Sequence, residues 1–470
     1  MPADLDEIFA SVAREADAIP LSTATRARRR GRQRSRNGIL AAAAAVCVVL
    51  AGIGVVAGPD RRADNKTVAP MPSPSVTTTA AGPLPLVGQP IPFGRAIDEV
   101  HPAIVKGHVY AAWKVGSTIS VVAADVRTSE VVWRADGFEA GSDLSASVSA
   151  TDDAVLVSYG GTKTWVLDPA DGRRMWEFTS SDLGEWVLHR KVLVQRDPET
   201  GRVDAYELRT GRELWSIAPS ADKVDQILGM RLDGADVLAT SLTDNRLVVV
   251  RRSGKVQVRD IVSGDVLRTT TPVSPPVGGN TLIAYEGKLF DGGPGCCDTE
   301  PYRVVVTDLA TGASKKAFVG RLGHRTGSMD VCGPAMVCLV DQESETVSWV
   351  KMIDTTRGET IWQVPGPLDG SSLVANGTDM LVGGDGVTRL IDGNGRENFR
   401  FTSGDVQWLD GGRLLVLPEL TGGELKIMIT ALGTITTLGT VPAHTAPCAF
   451  TPDRLVCASP QDLRIYEFRE

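Results

Sequence analysis

The residues best equipped for chemistry in this 470-residue chain are its cysteines and histidines. Cys47 lies apart in an apolar run; the other six are Cys296, Cys297, Cys332, Cys338, Cys448 and Cys457. VCGPAMVC and CAFTPDRLVC each read as a hairpin with one cysteine per strand, so Cys332 with Cys338 and Cys448 with Cys457 are the natural local disulfides of an exported domain. Those spacings carry no accompanying histidine and are expected to hold no metal. Cys296-Cys297, in DGGPGCCDTEP, form either a vicinal disulfide or a rigid surface loop. The five histidines (His101, His108, His189, His324, His444) are scattered singly, and paired carboxylates such as Asp152-Asp153 sit in apparent turns. The chain has no H-E-x-x-H, no G-x-S-x-G and no phosphate-binding glycine loop, and DGNGREN at Asp392 lacks a calcium loop's ligand pattern. No catalytic, cofactor or metal residue can be assigned, and no cofactor is expected.

Charge divides the chain. Residues 1–37 carry eight Arg against five acids, a balance of +3, whereas residues 59–470 carry 41 bases against 52 acids, a balance of −11. Between them Gly38–Gly58 is an uncharged apolar run of 21 residues, which at about 1.5 Å per residue spans a hydrocarbon core of about 30 Å. Seven Arg from Arg26 to Arg36 precede it, so the positive-inside rule places residues 1–37 in the cytoplasm and everything after the run outside. The charged region before the run is too long for a signal peptide, which favours an uncleaved anchor through residues 38–58 over a cleaved leader. Leu5, Ile8, Phe9, Val12, Ala16 and Ile19 recur at helical spacing, predicting an amphipathic helix over about 4–19 that needs a surface or partner. Residues 59–92, rich in Pro, Thr and Ser, read as an extended stalk, leaving 93–470 as the folded domain. An acidic ectodomain argues against nucleic acid as a partner.

The folded part repeats itself, and the repeat decides the fold class. VVAADVRTSEVVW carries Ala123, Asp125, Thr128 and Trp133; WVLDPADGRRMW repeats Asp168, Gly172 and Trp176; AYELRTGRELW has Ala205, Thr210, Gly211 and Trp215; KMIDTTRGETIW has Asp354, Gly358 and Trp362. Copies without the tryptophan follow at Asp260 and Gly264, Asp308 and Gly312, Asp392 and Gly395, and Gly433. In each copy a strand ends at Asp, whose side chain can bond the turn's backbone, Gly supplies positive φ, and a short strand returns carrying the aromatic, which should pack on a neighbouring blade. Short apolar strands lie between copies. The chain is therefore expected to be all-β, an eight-bladed propeller of four-stranded antiparallel blades, with seven to nine as the range. The last segment, CAFTPDRLVCASPQDLRIYEF, offers a further two or three strands that should either close the ring with one near Leu84 to Ile91 or complete the first blade.

The A-x-D-x-x-T-G-x-x-x-W pattern resembles the tryptophan-docking repeat of PQQ-like, quinoprotein alcohol dehydrogenase-like propellers. That resemblance implies eight blades and, for the dehydrogenases, PQQ and calcium near the axis against a vicinal disulfide; here only Cys296-Cys297 answers to it. The first 58 residues look like the tails of actinobacterial single-pass proteins that accompany extracytoplasmic-function sigma factors, without the zinc-binding His/Cys motif of many anti-sigma domains. The expected function is non-enzymatic: a membrane-anchored propeller that presents a cell-envelope protein, peptide or glycan ligand with loops around a central funnel, with a cytoplasmic partner at residues 1–25. The alternative is a PQQ-dependent dehydrogenase.

Overall fold

The computed structural model describes residues 82–97, 100–139, 146–159, 163–179, 185–232, 242, 244–271, 280–293, 300–368, 372–402, 405–417, 419–430, 433–444 and 447–468. The predicted tail, the span at 38–58 and Cys296-Cys297 lie outside them. Among the described residues no helix is long and apolar enough to cross a membrane.

The described chain forms nine four-stranded antiparallel sheets. Eight are built from consecutive strands: blade I (101–139), II (146–179), III (185–217), IV (224–270), V (281–319), VI (325–365), VII (372–401) and VIII (405–441). Blade IX is composite, because its first three strands, Ala449–Phe450, Arg454–Ala458 and Asp462–Glu467, are completed by Ile91–Pro92 from far earlier in the chain. Ile91 pairs with Leu463 and Pro92 with Asp462. Around them Val87 N–H donates to Ile465 O (2.8 Å), Phe93 N–H to Gln461 O (2.9 Å) and Leu84 N–H to Thr440 O of blade VIII (3.0 Å). The chain from residue 82 onward is thus part of the ring.

The count is nine blades and not the eight read from the repeat. The repeat turns join the third strand of a blade to its outer strand, and there is one in each of blades I to VIII. Blade IX has no such turn, since its outer strand comes from a distant segment, so counting turns undercounts blades by one.

Nine apolar clusters, one per interface, close the ring. Blade I packs on II through Tyr110, Ile119, Trp133, Val157 and Trp165, and blade IX packs back on I through Ile91, Val456, Ile465, Val109 and Val122. A blade sandwiched between two others buries both faces of its middle strands. Thr118–Asp125 and Met336–Gln342 are accordingly near-continuous apolar runs, while the outer strand Val266–Thr270 is exposed. Turns joining first to second and third to fourth strands share the lower face of the ring; the remaining connections form the upper face.

Candidate functional site

On the lower face each repeat turn is built alike. Asp125 Oδ1 accepts Arg127 N–H (2.6 Å), Asp168 Oδ1 accepts Ala170 N–H (2.9 Å), and Asp260 Oδ1 accepts Val262 and Ser263 N–H (2.9 and 2.8 Å). Asp308 accepts Ala310 and Thr311 N–H, Asp354 accepts Thr356 and Arg357 N–H, and Asp392 accepts Asn394 N–H. Bonds from Thr311 hold the Asp308 carboxyl below the usual carboxylate range, and bonds from Thr356 and Arg357 do the same for Asp354. In blade III Glu207 takes the Asp place, and its longer side chain takes the Thr210 hydroxyl.

The tryptophans dock on the turn of the next blade. Trp133 Nε1 donates to Pro169 O (2.9 Å), Trp176 to Leu208 O (2.8 Å), Trp215 to Ile261 O (3.1 Å) and Trp362 to Gly393 O (3.0 Å). Glycine is needed there twice over. Gly172, Gly211, Gly264 and Gly395 all have φ between 68° and 77°, and a Cβ on Gly172 would lie 2.4 Å from Trp133 Cε3. Gly312 and Gly358 lack a facing tryptophan and instead meet Thr270 and the Ala317 carbonyl. Blade I tolerates Ser129 at the glycine place, at φ 62°, because blade IX sends no tryptophan onto it; its hydroxyl donates to Gln89 O (2.7 Å). The tryptophan motif is therefore a joint between blades.

The two local disulfides are present. Cys332–Cys338 and Cys448–Cys457, with Cα atoms 5.9 and 4.5 Å apart, each tie the first hairpin of a blade, VI and IX respectively.

Polar groups that no motif pointed to gather elsewhere. At the upper end of blades V and VI, fully buried Asp341 shares a 2.9 Å hydrogen bond with His324 Nδ1 through Oδ1 and takes the Lys351 ammonium on Oδ2. Burial, and after it the Asp341 carboxylate, push the nearby Tyr302 phenol upward. Asp291, buried on Lys288–Gly293 of blade V, accepts Asn280 Nδ2 at 2.6 Å and is pushed up to about 6 by desolvation. At the lower end near the axis, Asp330 takes Arg231 Nη1 from blade IV (2.7 Å) and the Ala375 N–H from blade VII (3.0 Å), linking inner strands of three blades. The partners of Asp341 and Asp291 come from other parts of the same blade and those of Asp330 from other blades, so only the breach of an apolar run such as VCLVDQ signals them. Among the described residues no group of three or more His, Cys, Asp or Glu is placed to hold a metal ion. The remaining histidines stay apart: His189 and His444 are buried, and burial lowers both.

Fold and repeat together define a PQQ-like repeat β-propeller. Residues 117–318, a little under half of the chain, match the PQQ_2 family model described as outer membrane protein assembly factor BamB. No curated protein matches the sequence. Among solved structures, BamB from Moraxella catarrhalis is 14% identical with a TM-score of 0.42, over 80% of this chain and 96% of that one. The computationally designed Ika8 protein is 14% identical (TM-score 0.46; 68% and 95% covered), and Sqt1 of Saccharomyces cerevisiae is 12% identical (TM-score 0.43; 77% and 100% covered).

Proposed function

We propose that this chain is a binding and scaffold protein rather than an enzyme, held in a cytoplasmic membrane by residues 38–58 and presenting its ring on the outer side of that membrane. The observation that carries this reading is the construction of the ring itself. Nine blades pack through nine apolar interfaces, four of them with a docked tryptophan, and two blades carry a hairpin disulfide, a platform that suits a protein whose loops must hold one geometry for a partner. Disulfides persist in oxidising compartments, in keeping with the charge asymmetry that sends the acidic domain outward. The ring's partner is an envelope protein, peptide or glycan. Residues 1–25 engage a cytoplasmic regulator such as a sigma factor.

Protease added to intact cells with a permeable outer envelope is expected to digest the ring while an epitope fused before residue 1 stays protected. A protected ring would overturn the exported placement. Within the same cells, the full chain should retain a cytoplasmic regulator that a chain lacking residues 1–25 releases. Equal retention by both would remove the signalling role.

A further inference from the structure

Eight of the nine tryptophans are buried or half-buried; Trp186, on the inner strand Glu185–Leu188 of blade III, is 42% exposed. It stands where the packing between blades is thinnest. Blades II and III meet through Ala154, Leu156, Val166, Leu188, Leu193 and Leu208, fewer buried apolar residues than at any other interface among the described residues. Trp176 and Tyr206, with ring centroids 5.7 Å apart, mark one level at which the two blades face.

Two residues further up each strand the register aligns Ser147, Ser158 and Thr164 across blade II, and Trp186, Gln195 and Asp204 across blade III. Both rows turn towards the II–III interface. Their sequence neighbours Val148, Val157 and Trp165 pack on blade I, and Val187, Val194 and Val203 pack towards blade IV, so strand alternation sends the rows the other way. Beside Phe178, the II–III interface at this level has hydroxyls, an amide and an indole. The rows' charge is already met, because Arg202 Nε holds Asp204 at 2.7 Å. Ser158 Oγ and Thr164 Oγ1 bond each other at 2.8 Å, and Gln195 Nε2 donates to Thr179 O at 3.4 Å, leaving its carbonyl oxygen. Ser147 and Trp186, the exposed members, lie on inner strands, so the rows meet solvent on the axial side.

An indole face beside uncharged hydroxyl and amide groups matches a ring with a C–H face and hydroxyl edges. We infer that the upper II–III face binds a neutral saccharide, with Trp186 as the stacking platform and Ser147, Ser158 and Gln195 as hydrogen-bonding groups; buried Thr164 only orients Ser158. The inference deepens the binding role proposed above and rests on it.

The full-length protein labelled with 5-fluorotryptophan tests it. The Trp186 resonance, assigned by its loss in Trp186→Phe, should shift saturably with at least one neutral oligosaccharide of glucose, galactose or N-acetylglucosamine, while those of Trp113 and Trp408 stay in place. Trp186→Ala should weaken that binding about tenfold or more, Trp186→Phe only a few-fold, and Ser147→Ala with Ser158→Ala should also weaken it. A Trp186 resonance unmoved by neutral sugars at millimolar concentration, or moved only by phosphorylated ones, overturns the inference, as does undiminished binding in Trp186→Ala. If sugars fail but an envelope protein or peptide is still held at the ring, the saccharide site falls and the binding role stands. If the ring holds none of these ligands, both fall.

Discussion

Asp291 shows how one buried carboxylate couples this ring to pH. Its surroundings remove water and return one strong hydrogen bond from Asn280, so the proton is held to about pH 6 rather than near 4. The native state therefore binds this proton more tightly than the unfolded chain. Its contribution to stability improves as pH falls from about 6 towards 4, and is least favourable above 6, where a desolvated charge must be carried. Asp291→Asn keeps an acceptor for Asn280 and removes the charge. Thermal or urea unfolding should show the variant more stable than the parent at pH 7.5 by on the order of 2–3 kcal/mol, with the gain vanishing near pH 4. A gain of equal size at both pH values would show that burial of the charge is not its source.

Among the elements, the docking turn has the clearest division of labour. Gly172 and Gly433 both adopt positive φ, at 72° and 62°, but only Gly172 has an indole pressed against it, whereas a Cβ on Gly433 meets nothing within 4 Å. Gly433→Ala should cost only the left-handed backbone penalty, about 1–2 kcal/mol. Gly172→Ala must in addition expel Trp133 from its seat, with its hydrogen bond to Pro169 and its place in the I–II cluster, and should cost at least about 2 kcal/mol more. Denaturant midpoints of the two variants decide the matter; equal losses would mean that the tryptophan seat adds nothing to the joint. The same logic explains why Ser129 stands where other turns have glycine.

For the whole molecule, closure of the ring rests on the composite blade IX. A ring abolishes exposed sheet edges only if its last blade is completed, and here completion depends on Ile91–Pro92 and the bonds on either side of it. Deleting residues 82–93 strips Leu84, Ile91 and Phe93 from two interfaces and bares the edge of Asp462–Glu467. The expected result is a lower, broader thermal transition, together with early hydrogen exchange in 449–467 and the facing strands of blades I and VIII. The Cys448–Cys457 disulfide closes a short loop worth about 2–3 kcal/mol in the chain-entropy account. It should hold Ala449–Phe450 to Arg454–Ala458 even then, so reducing the bond should deepen the loss. An unchanged transition after the deletion would mean that the ring is held by its other eight blades alone.

What the amino-acid order determined by itself was the local unit: strand, Asp-Gly turn, returning strand with its tryptophan, and the two hairpin disulfides. Each is made within a dozen residues by backbone conformation, a capping carboxylate and strand alternation, and each is legible as a pattern. The number of blades was not legible, because the ninth joins segments about 370 residues apart and has no turn to count. Nor were Asp341, Asp291 and Asp330, whose partners arrive from other strands or blades, or the polar rows beside Trp186, which meet only where two sheets face each other. Those features belong to the tertiary structure, since burial, desolvation and inter-blade contact are properties of neighbours in space.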